Sequence, residues 1–197
     1  MPRRGSVLAN DRERHRFRLD QPRKSAVEPV SAACGRRGFR SVPVSAHFFP
    51  RDEYFMRLAL REAARAPEHD DVPVGAVIVH SGEVIGAAHN ERELRQDPTA
   101  HAETIALRDA CRALGTWRLL DSVVYVSLEP CAMCAGAIVL ARVPRVVFAT
   151  FDPKAGAAGS VLDVLHEPRL NHRPRVESGL LAAESAELLR SFFGSRR

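Results

Sequence analysis

One histidine and two cysteines in this sequence have the spacing of metal ligands. His101 begins the tripeptide His-Ala-Glu, and Cys131 and Cys134 belong to a Pro-Cys-Ala-Met-Cys segment that follows later in the chain. An imidazole and two thiolates are ligands that zinc prefers, and a catalytic zinc site has three protein ligands whereas a structural site has four. The sequence contains no second Cys-x-x-Cys, so a four-cysteine zinc ribbon is excluded. We therefore predict one catalytic zinc ion (Zn2+) per subunit.

Glu103 lies two residues after the predicted histidine ligand and is not needed to complete the ligand set. A carboxyl group beside a metal suits proton transfer, so Glu103 is the predicted catalytic residue. The order His-x-Glu followed by Pro-Cys-x-x-Cys matches the signature of zinc-dependent nucleobase deaminases, in which the glutamate is a general acid and base. A Cys-x-x-Cys alone could be a redox pair. The joint occurrence of both motifs favours a deaminase site.

Both parts of the predicted site fall at the beginning of a helix. Cys131 and Cys134 are three residues apart and therefore share one face of a helix that begins at Cys131. His101 and Glu103 are two residues apart and can converge only near a helix start. An Asp-Pro-Thr sequence just before His101 predicts such a start at about residue 99, with Asp or Thr as the cap. The predicted helix ends at Gly115.

The rest of the chain predicts alternating helices and strands, recognised by the periodicity of their apolar residues. The strand after the Cys131 helix is expected to lie parallel to the strand before it, because the helix is a crossover connection. The predicted fold class is α/β, a three-layer α/β/α sandwich on a mixed five-stranded sheet. The further elements are a helix over 51–66, strands over 72–79 and 83–88 with a turn at Ser81-Gly82, strands over 122–127, 145–150 and 175–179, a short helix over 161–166 and a helix over 182–193.

The basic character of the chain is confined to its first fifty residues. Residues 1–50 contain 11 Lys and Arg and 4 Asp and Glu, whereas residues 51–197 contain 18 and 20. Because residues 1–50 also lack periodicity, we expect a basic, disordered N-terminal extension before a deaminase domain of residues 51–197. The extension could be an RNA-attracting tail, a targeting peptide or a translated upstream region. Its acidic residues count against a transit peptide, and a dispensable tail is the favoured interpretation.

The sequence also favours a cytoplasmic protein. No apolar run has the length that a membrane span needs. Two of the four cysteines belong to the metal motif, so a disulfide framework is not expected and a reducing compartment fits better.

Over residues 51–197 the chain resembles the bacterial tRNA-specific adenosine deaminases, which convert adenosine to inosine at the wobble position of the anticodon. The resemblance implies the cytidine deaminase-like fold, with His101, Cys131 and Cys134 as zinc ligands and Glu103 as proton shuttle. Besides the zinc motif it rests on VPVGAV (72–77), Asn90, DPTAHAE (97–103), LEPCAMCAGA (128–137), RVVFA (145–149), FDPKAGAAGS (151–160), LNHR (170–173) and SFF (191–193).

The resemblance also implies substrate contacts and partners. Asn90 and Asp152 would contact the flipped-out nucleoside and its ribose, and Val74 with the backbone amide of Ala102 would build the base pocket. The partner would be a tRNA anticodon stem-loop, of an arginine tRNA, bound by a homodimer. Residues that match the parts of the family next to the anticodon stem, or its C-terminal helix end, are Lys154, Asn171, His172, Arg173 and Phe192.

Two other functions fit the zinc motif. The first is a free-base or nucleoside deaminase of the guanine or cytosine type, against which Asp152 with its glycine loop and the Phe192-Phe193 helix end argue. The second is a non-catalytic zinc-containing RNA-binding protein, against which the intact Glu103 argues. The chain departs from the usual family pattern in its extension and at Gly194-Ser195.

Overall fold

The computed structural model describes residues 48–196, in which helices cover both faces of a mixed sheet. The predicted α/β class and five-stranded mixed sheet are confirmed. The predicted extension lies outside the described residues except for its last three. The helices are α1 (Asp52–Ala63), α2 (Arg92–Arg95), α3 (Ala102–Leu114), α4 (Ala132–Leu140) and α5 (Ala182–Gly194), with a 3-10 turn at Ala66–His69, and the strands are β1 (Gly75–His80), β2 (Glu83–His89), β3 (Ser122–Leu128), β4 (Arg145–Thr150) and β5 (Arg175–Ser178).

The sheet has the strand order β2-β1-β3-β4-β5. Strand β1 is antiparallel to both β2 and β3, whereas β3, β4 and β5 are parallel to one another. The β1–β2 connection has φ of 51° at Ser81 and 83° at Gly82, as a two-residue type I′ hairpin turn requires. The predicted hairpin and the predicted parallel pair around α4 are both confirmed.

Alternate side chains of the central strands enter two separate cores. Ala76 and Ile78 of β1 pack in the core that also contains the buried residues of α3 and α4. Val77 and Val79, their neighbours in the chain, pack with α1 on the opposite face. Because side chains alternate across a strand, the sheet becomes the middle layer of the predicted three-layer sandwich. Within the described residues, no helix combines the length and apolar character needed to cross a membrane.

A close approach between α3 and β2 sets the position of the metal-site helix. A Cβ atom added to Gly86 on β2 would stand 2.4 Å from the carbonyl oxygen of Ala106 on α3. The absence of a side chain at this position therefore lets the α3 backbone lie directly on the sheet.

Helix α3 begins later than the sequence predicts. It starts at Ala102, with His101 in the capping position. Asp97 does not cap the helix, because its Oδ1 accepts hydrogen bonds from the backbone N–H and the hydroxyl of Thr99, at 2.8 and 2.7 Å. The two predicted capping residues thus stabilise a turn before the helix, an alternative that short polar side chains offer the backbone.

The predicted helix over 161–166 is wrong. The backbone N–H groups of Val161 and Leu162 donate to the carbonyl of Gly156, at 3.1 and 3.0 Å, and that of Val164 donates to Ala157 at 2.9 Å. These amides bind the preceding glycine loop and are not available for helical bonds.

A second difference is α2, a single helical turn inside the loop predicted before Asp97.

A buried ion-pair network joins α1 to strands β3, β4 and β5. The Asp52 carboxylate accepts two hydrogen bonds from Arg145, at 2.8 and 2.6 Å, and one from the Tyr125 hydroxyl at 2.6 Å. Arg145 also donates to Glu177 at 2.6 Å. Burial would raise the pKa of Asp52, but the hydrogen bonds from Arg145, Tyr125 and the Phe49 amide outweigh burial and lower this pKa below its usual range. Asp52 is therefore ionised at neutral pH.

Candidate metal centre and active-site pocket

The predicted metal ligands meet in the structure. His101 Nδ1 lies 3.6 Å from Cys131 Sγ and 3.5 Å from Cys134 Sγ, and the three ligand atoms all lie within 4.8 Å of one another. Bonds of about 2.1 Å to nitrogen and about 2.3 Å to sulfur put two donors of a tetrahedral zinc ion about 3.6 Å apart. The donor set and its spacing therefore fit zinc.

The fold brings the ligands together by opposing two helix starts. His101 precedes the first residue of α3 and Cys131 precedes the first residue of α4, both in extended backbone conformation and neither with a side-chain capping bond. Their side chains are therefore not used in capping their own helices. The partial positive charge at both helix N-termini favours the thiolate form of the cysteines.

Hydrogen bonds among the three ligands shift their pKa values in different directions. A hydrogen bond with Cys134 is the main cause that holds the pKa of Cys131 at about 3, and a further hydrogen bond with His101 contributes. The hydrogen bond with Cys131 raises the pKa of His101, and the bond with Cys131 together with burial raises the pKa of Cys134. Cys131 is therefore a preformed thiolate, and metal binding is expected to displace protons from the other two ligands.

Glu103 is buried beside this cluster with part of its carboxyl group unsatisfied. Only 3% of the residue is exposed, and within residues 48–196 its Oε2 atom has no hydrogen-bond partner. Burial raises the pKa of this carboxyl. A buried polar atom without a partner is costly, so a group that persists in this state next to a metal-ligand cluster is a strong candidate for proton transfer.

A cavity of about 190 Å³ opens onto the metal ligands. Predicted metal-site and substrate residues line it together, namely His101, Glu103, Cys131, Val74, Asn90 and Asp152. Arg92 of α2, which is not among the predicted site residues, also lines it. Cys134 is fully buried behind the cavity.

Asn90 joins the end of β2 to the start of α3. Its Oδ1 accepts a hydrogen bond of 3.0 Å from the backbone N–H of Ala102. The Ala102 amide, which the resemblance assigns to the base pocket, is thus already bonded to Asn90. Asn90 is itself 6% exposed, so its position is fixed by the protein.

The other predicted substrate residues lie outside this cavity. Asn171 accepts a hydrogen bond from Arg142, and His172 Nε2 lies 2.6 Å from the Val143 carbonyl oxygen. Both partners follow the C-terminal end of α4, which is about 13 Å long, whereas the metal ligands are at its start. Arg173 is an exposed residue next to His172.

The C-terminal helix presents one phenylalanine and buries the other. Phe192 is 8% exposed and Phe193 is 49% exposed. The Arg196 guanidinium lies 4.0 Å from the centroid of the Phe192 ring, and the Lys154 ammonium lies 5.9 Å from that of Phe193. Phe192 therefore supports a basic side chain at the surface, and Lys154 lies beside the helix end.

Glu129 is a buried carboxylate that the predicted site does not include. Its Oε1 accepts backbone N–H bonds from Ala158 and Ser160, at 2.8 and 3.1 Å, and its Oε2 accepts one from Asp152 at 3.0 Å. A Cβ atom added to Gly156 would lie 2.3 Å from Glu129 Oε2. Glu129 thus shapes the loop that carries Asp152. The sequence signal that could have identified Glu129 is its position between a buried strand and the Pro-Cys motif.

Comparisons with known proteins agree with this geometry. Residues 50–150 match the model of the cytidine and deoxycytidylate deaminase zinc-binding region. The chain is 50% identical to the tRNA-specific adenosine deaminase of Bacillus subtilis (strain 168) over 147 residues, which are 75% of this chain and 91% of that protein. The chain belongs to the tRNA-specific adenosine deaminase family. It is also 51% identical to the family member from Aquifex aeolicus (strain VF5) over 145 residues, 74% of this chain and 95% of that protein.

A solved structure from a study of A-to-I editing by tRNA deaminases at the wobble position of transfer RNA also matches the fold. It aligns with a TM-score of 0.67 and 48% identity over 69% of this chain and 99% of that chain. The predicted tRNA-specific adenosine deaminase family and its cytidine deaminase-like fold are confirmed. Since the matched family region is zinc-binding and contains all three clustered ligands, the predicted zinc cofactor is confirmed as well.

Proposed function

We propose that this chain is a hydrolase that converts adenosine to inosine at the wobble position of a tRNA anticodon. The observation that carries this proposal is the buried, partly unsatisfied Glu103 carboxyl beside the His101, Cys131 and Cys134 ligand set. The family relatives named above are tRNA-specific adenosine deaminases, and they supply the reaction and the class of substrate.

Glu103 moves the protons of the reaction. Zinc held by His101, Cys131 and Cys134 would supply a water molecule of lowered pKa, from about 15.7 towards about 7. The Glu103 carboxylate would accept one proton from the attacking water and deliver it to the adjacent ring nitrogen of the base. It would then take the second proton of the same water and pass it to the departing amine, which leaves as ammonia. The net reaction consumes one water and releases ammonia. Burial favours the protonated form of the Glu103 carboxyl by raising its pKa.

The pocket residues orient a single unpaired nucleoside. A base within a duplex cannot reach such a cavity, whereas an anticodon loop presents bases that can be splayed out. Asn90 and Asp152 line the cavity with Val74, and we assign them the polar contacts to the nucleoside. The amide of Ala102 contributes through its bond to Asn90.

Residues around the pocket are assigned to the anticodon stem. Lys154 and Arg173 are exposed basic residues that can pair with phosphates, and Asn171 and His172 lie next to Arg173 in the chain. Phe192 acts through the Arg196 side chain that stacks on it. Phosphate contacts of this kind make RNA affinity fall as salt concentration rises.

The proposed assembly is a homodimer in the cytoplasm that acts on an arginine tRNA. The outer face of α4 supports self-association, because Met133 and Leu140 are 37% and 69% exposed and the helix contains no charged residue. Residues 51–197 are proposed to form the deaminase domain. Light scattering on the wild-type protein and on a Leu140→Glu variant tests the dimer, since the charged variant should be monomeric.

Mass spectrometry of nucleosides tests the proposed reaction. The zinc-loaded protein is incubated with an arginine tRNA bearing adenosine at the wobble position and, in parallel, with free guanine and free cytosine. We expect inosine to form in the tRNA and the two free bases to remain unchanged. Turnover of only the free bases would overturn the choice of substrate, and bound zinc without any product would favour a non-catalytic RNA-binding role.

A further inference from the structure

Four hydrogen-bonded side chains form a chain outside the metal centre, next to residues that line the active-site pocket. His89 Nδ1 lies 3.1 Å from Glu62 Oε2, and His69 Nδ1 lies 3.1 Å from Asp71 Oδ2. The two imidazoles meet through their Nε2 atoms, which are 3.2 Å apart. These contacts join α1, the 3-10 turn and the end of β2. We refer to Glu62, His89, His69 and Asp71 as the histidine-pair network.

The network is largely shielded from water. His89 is 7% exposed and Asp71 is 2% exposed, while the side chains of His69 and Glu62 are 18% and 20% exposed. Buried polar groups must find their hydrogen-bond partners within the protein. The hydrogen atoms in this network are therefore constrained by its own geometry.

The contacts set the number of ring protons when both carboxylates are ionised. An ionised carboxylate only accepts hydrogen bonds, so the Nδ1 atoms of His69 and His89 then both carry protons. The two Nε2 atoms need one further proton between them, because two lone pairs or two N–H groups cannot form a hydrogen bond. Three ring protons therefore satisfy every contact, and one imidazolium with one neutral imidazole supplies them.

Charged groups facing the pair accommodate this single positive charge. Three carboxylates lie next to the two rings, and two of these carboxylates also bind an arginine. Asp71 is the carboxylate whose other hydrogen-bond partners are backbone amides. Glu62 lies 2.9 Å from the Arg65 guanidinium. Glu91 lies 3.9 Å from His89 Nε2 and is paired with Arg95. The third carboxylate is that of Asp71.

Asp71 connects the histidine pair to the edge of the pocket. Its carboxylate accepts backbone N–H bonds from Arg92 at 3.0 Å, from Glu93 at 3.0 Å and from Leu94 at 3.4 Å. These are the first residues of α2, and Arg92 lines the cavity. His89 in turn directly precedes Asn90, which also lines the cavity. The network thus holds two parts of the pocket wall.

We propose that the histidine pair shares one proton and that His69, through Asp71, positions the α2 edge of the pocket for the RNA substrate. His69 and His89 are positioning residues, since the cavity is lined by their neighbours. The positioning role rests on the proposed function, whereas the proton count does not. Loss of the His69 contact with Asp71 should loosen α2 and weaken RNA binding without altering the proton transfer at Glu103.

Nitrogen-detected histidine NMR tests the proton count on the full-length, zinc-loaded protein at neutral pH. His69→Gln and His89→Gln variants assign the two rings among the eight histidines. The expected spectrum has both Nδ1 atoms protonated and both Nε2 atoms at intermediate shifts that report a shared proton. Two neutral rings with two ring protons in total, or two fully protonated rings, would overturn the proposal.

A pair of substitutions tests the positioning role. In His69→Asn the side-chain amide can replace Nδ1–H as donor to Asp71, whereas in His69→Gln the amide reaches the Nε2 position and leaves Asp71 without that donor. We expect the Gln variant to raise KM for an anticodon stem-loop about tenfold, with kcat within about twofold, and the Asn variant to recover most of the loss. His166→Gln is the control, because His166 forms a similar contact with Asp163 on the exposed surface.

Hydrogen exchange provides a readout that does not require activity. The amides of Arg92, Glu93 and Leu94 should exchange about tenfold faster in His69→Gln than in the wild-type and His166→Gln proteins. Unchanged exchange and unchanged KM in His69→Gln would contradict the positioning role. A protein that shows the predicted exchange but no turnover of any tRNA would contradict the proposed function and leave the network intact.

Discussion

Two buried glutamates next to the metal ligands have opposite surroundings. Glu129 accepts hydrogen bonds from three backbone amides, whereas Glu103 has a carboxyl oxygen without a partner in the described part of the chain. A satisfied carboxylate stabilises the structure around it, and an unsatisfied one is available to exchange protons. The sequence predicted a proton-transfer role for Glu103 because its motif has a known spacing. Glu129 could not be identified in this way, because its partners are amides that come from a distant loop.

Asn90 is the residue whose removal should most directly disturb substrate placement. In Asn90→Ala the Ala102 amide loses its acceptor and the nucleoside loses a proposed polar contact. We expect kcat/KM for the stem-loop to fall by about 10- to 100-fold, which corresponds to about 1.4 to 2.7 kcal/mol. Zinc content should stay at the wild-type level.

Steady-state kinetics with metal analysis provides the measurement. Thr116→Ala is a matched polar substitution at the opposite, exposed end of α3 and should leave kcat/KM unchanged. A wild-type kcat/KM in the Asn90→Ala protein would show that Asn90 does not contact the substrate.

At the level of elements, the sequence predicted the parts that local rules determine. The spacing of His101 and Glu103 placed them at a helix start, and the structure has α3 beginning between them. The erroneous helix over 161–166 shows where local rules are insufficient. That segment bonds to the carbonyls of Gly156 and Ala157, and such bonds depend on a loop fold that local periodicity does not encode. The single turn α2 similarly depends on Asp71, which lies 21 residues before Arg92.

The 152–160 loop should depend on the charge of Glu129. In Glu129→Gln the amide NH2 group faces donors that need an acceptor, so the loop loses hydrogen bonds and Asp152 shifts. We expect a loss of about 1 to 3 kcal/mol in the free energy of unfolding and a raised KM for the stem-loop with zinc content unchanged. Chemical denaturation and kinetics measure both effects.

Gly156→Ala should reproduce this effect, because its Cβ atom would clash with Glu129. Glu187→Gln, at an exposed position on α5, is the control and should behave as wild type. Equal KM values in all three variants would show that the loop does not need Glu129 for its conformation.

At the scale of the whole molecule, the sheet lies between the predicted metal site and a stabilising ion pair. The metal centre lies on the α3 and α4 side, whereas Asp52 and Arg145 join α1 to β4 on the other side. The sequence predicted the three layers from periodicity. It did not predict this ion pair, because its members are 93 positions apart in the sequence and only the order of the strands brings them together.

The Asp52–Arg145 pair should give the protein a defined sensitivity to acid. The pKa of Asp52 is lower in the folded protein than its usual value, so its contribution to stability is complete above about pH 4 and disappears as pH falls through the folded pKa. Asp52→Asn should lower the free energy of unfolding by about 2 kcal/mol at pH 7. The difference from wild type should shrink below about pH 4.

Urea denaturation at a series of pH values checks this expectation. Asp163→Asn, an exposed substitution, should differ little from wild type at any pH. A wild-type to Asp52→Asn difference that is constant down to pH 3 would show that the Asp52 charge does not stabilise the fold.

The N-terminal extension should be dispensable for catalysis. The matched family region begins at residue 50, and the basic excess of the chain lies in residues 1–50. Removing residues 1–47 should leave kcat and zinc content within about twofold, because the proposed catalytic groups are all outside this segment. A shallower dependence of RNA affinity on salt in the shortened protein would mean that the extension contributes phosphate contacts. Loss of kcat in the shortened protein would show that catalysis requires the extension.

Proton transfer by Glu103 beside a bound zinc ion is the central proposal, and a Glu103→Gln variant tests it most directly. The zinc content and the rate of inosine formation in an arginine tRNA are measured on the same preparation. We expect stoichiometric zinc in both proteins and a rate about 100- to 10,000-fold lower in the variant. A Glu103→Gln protein that holds zinc and forms inosine at the wild-type rate would contradict the proposed role of Glu103.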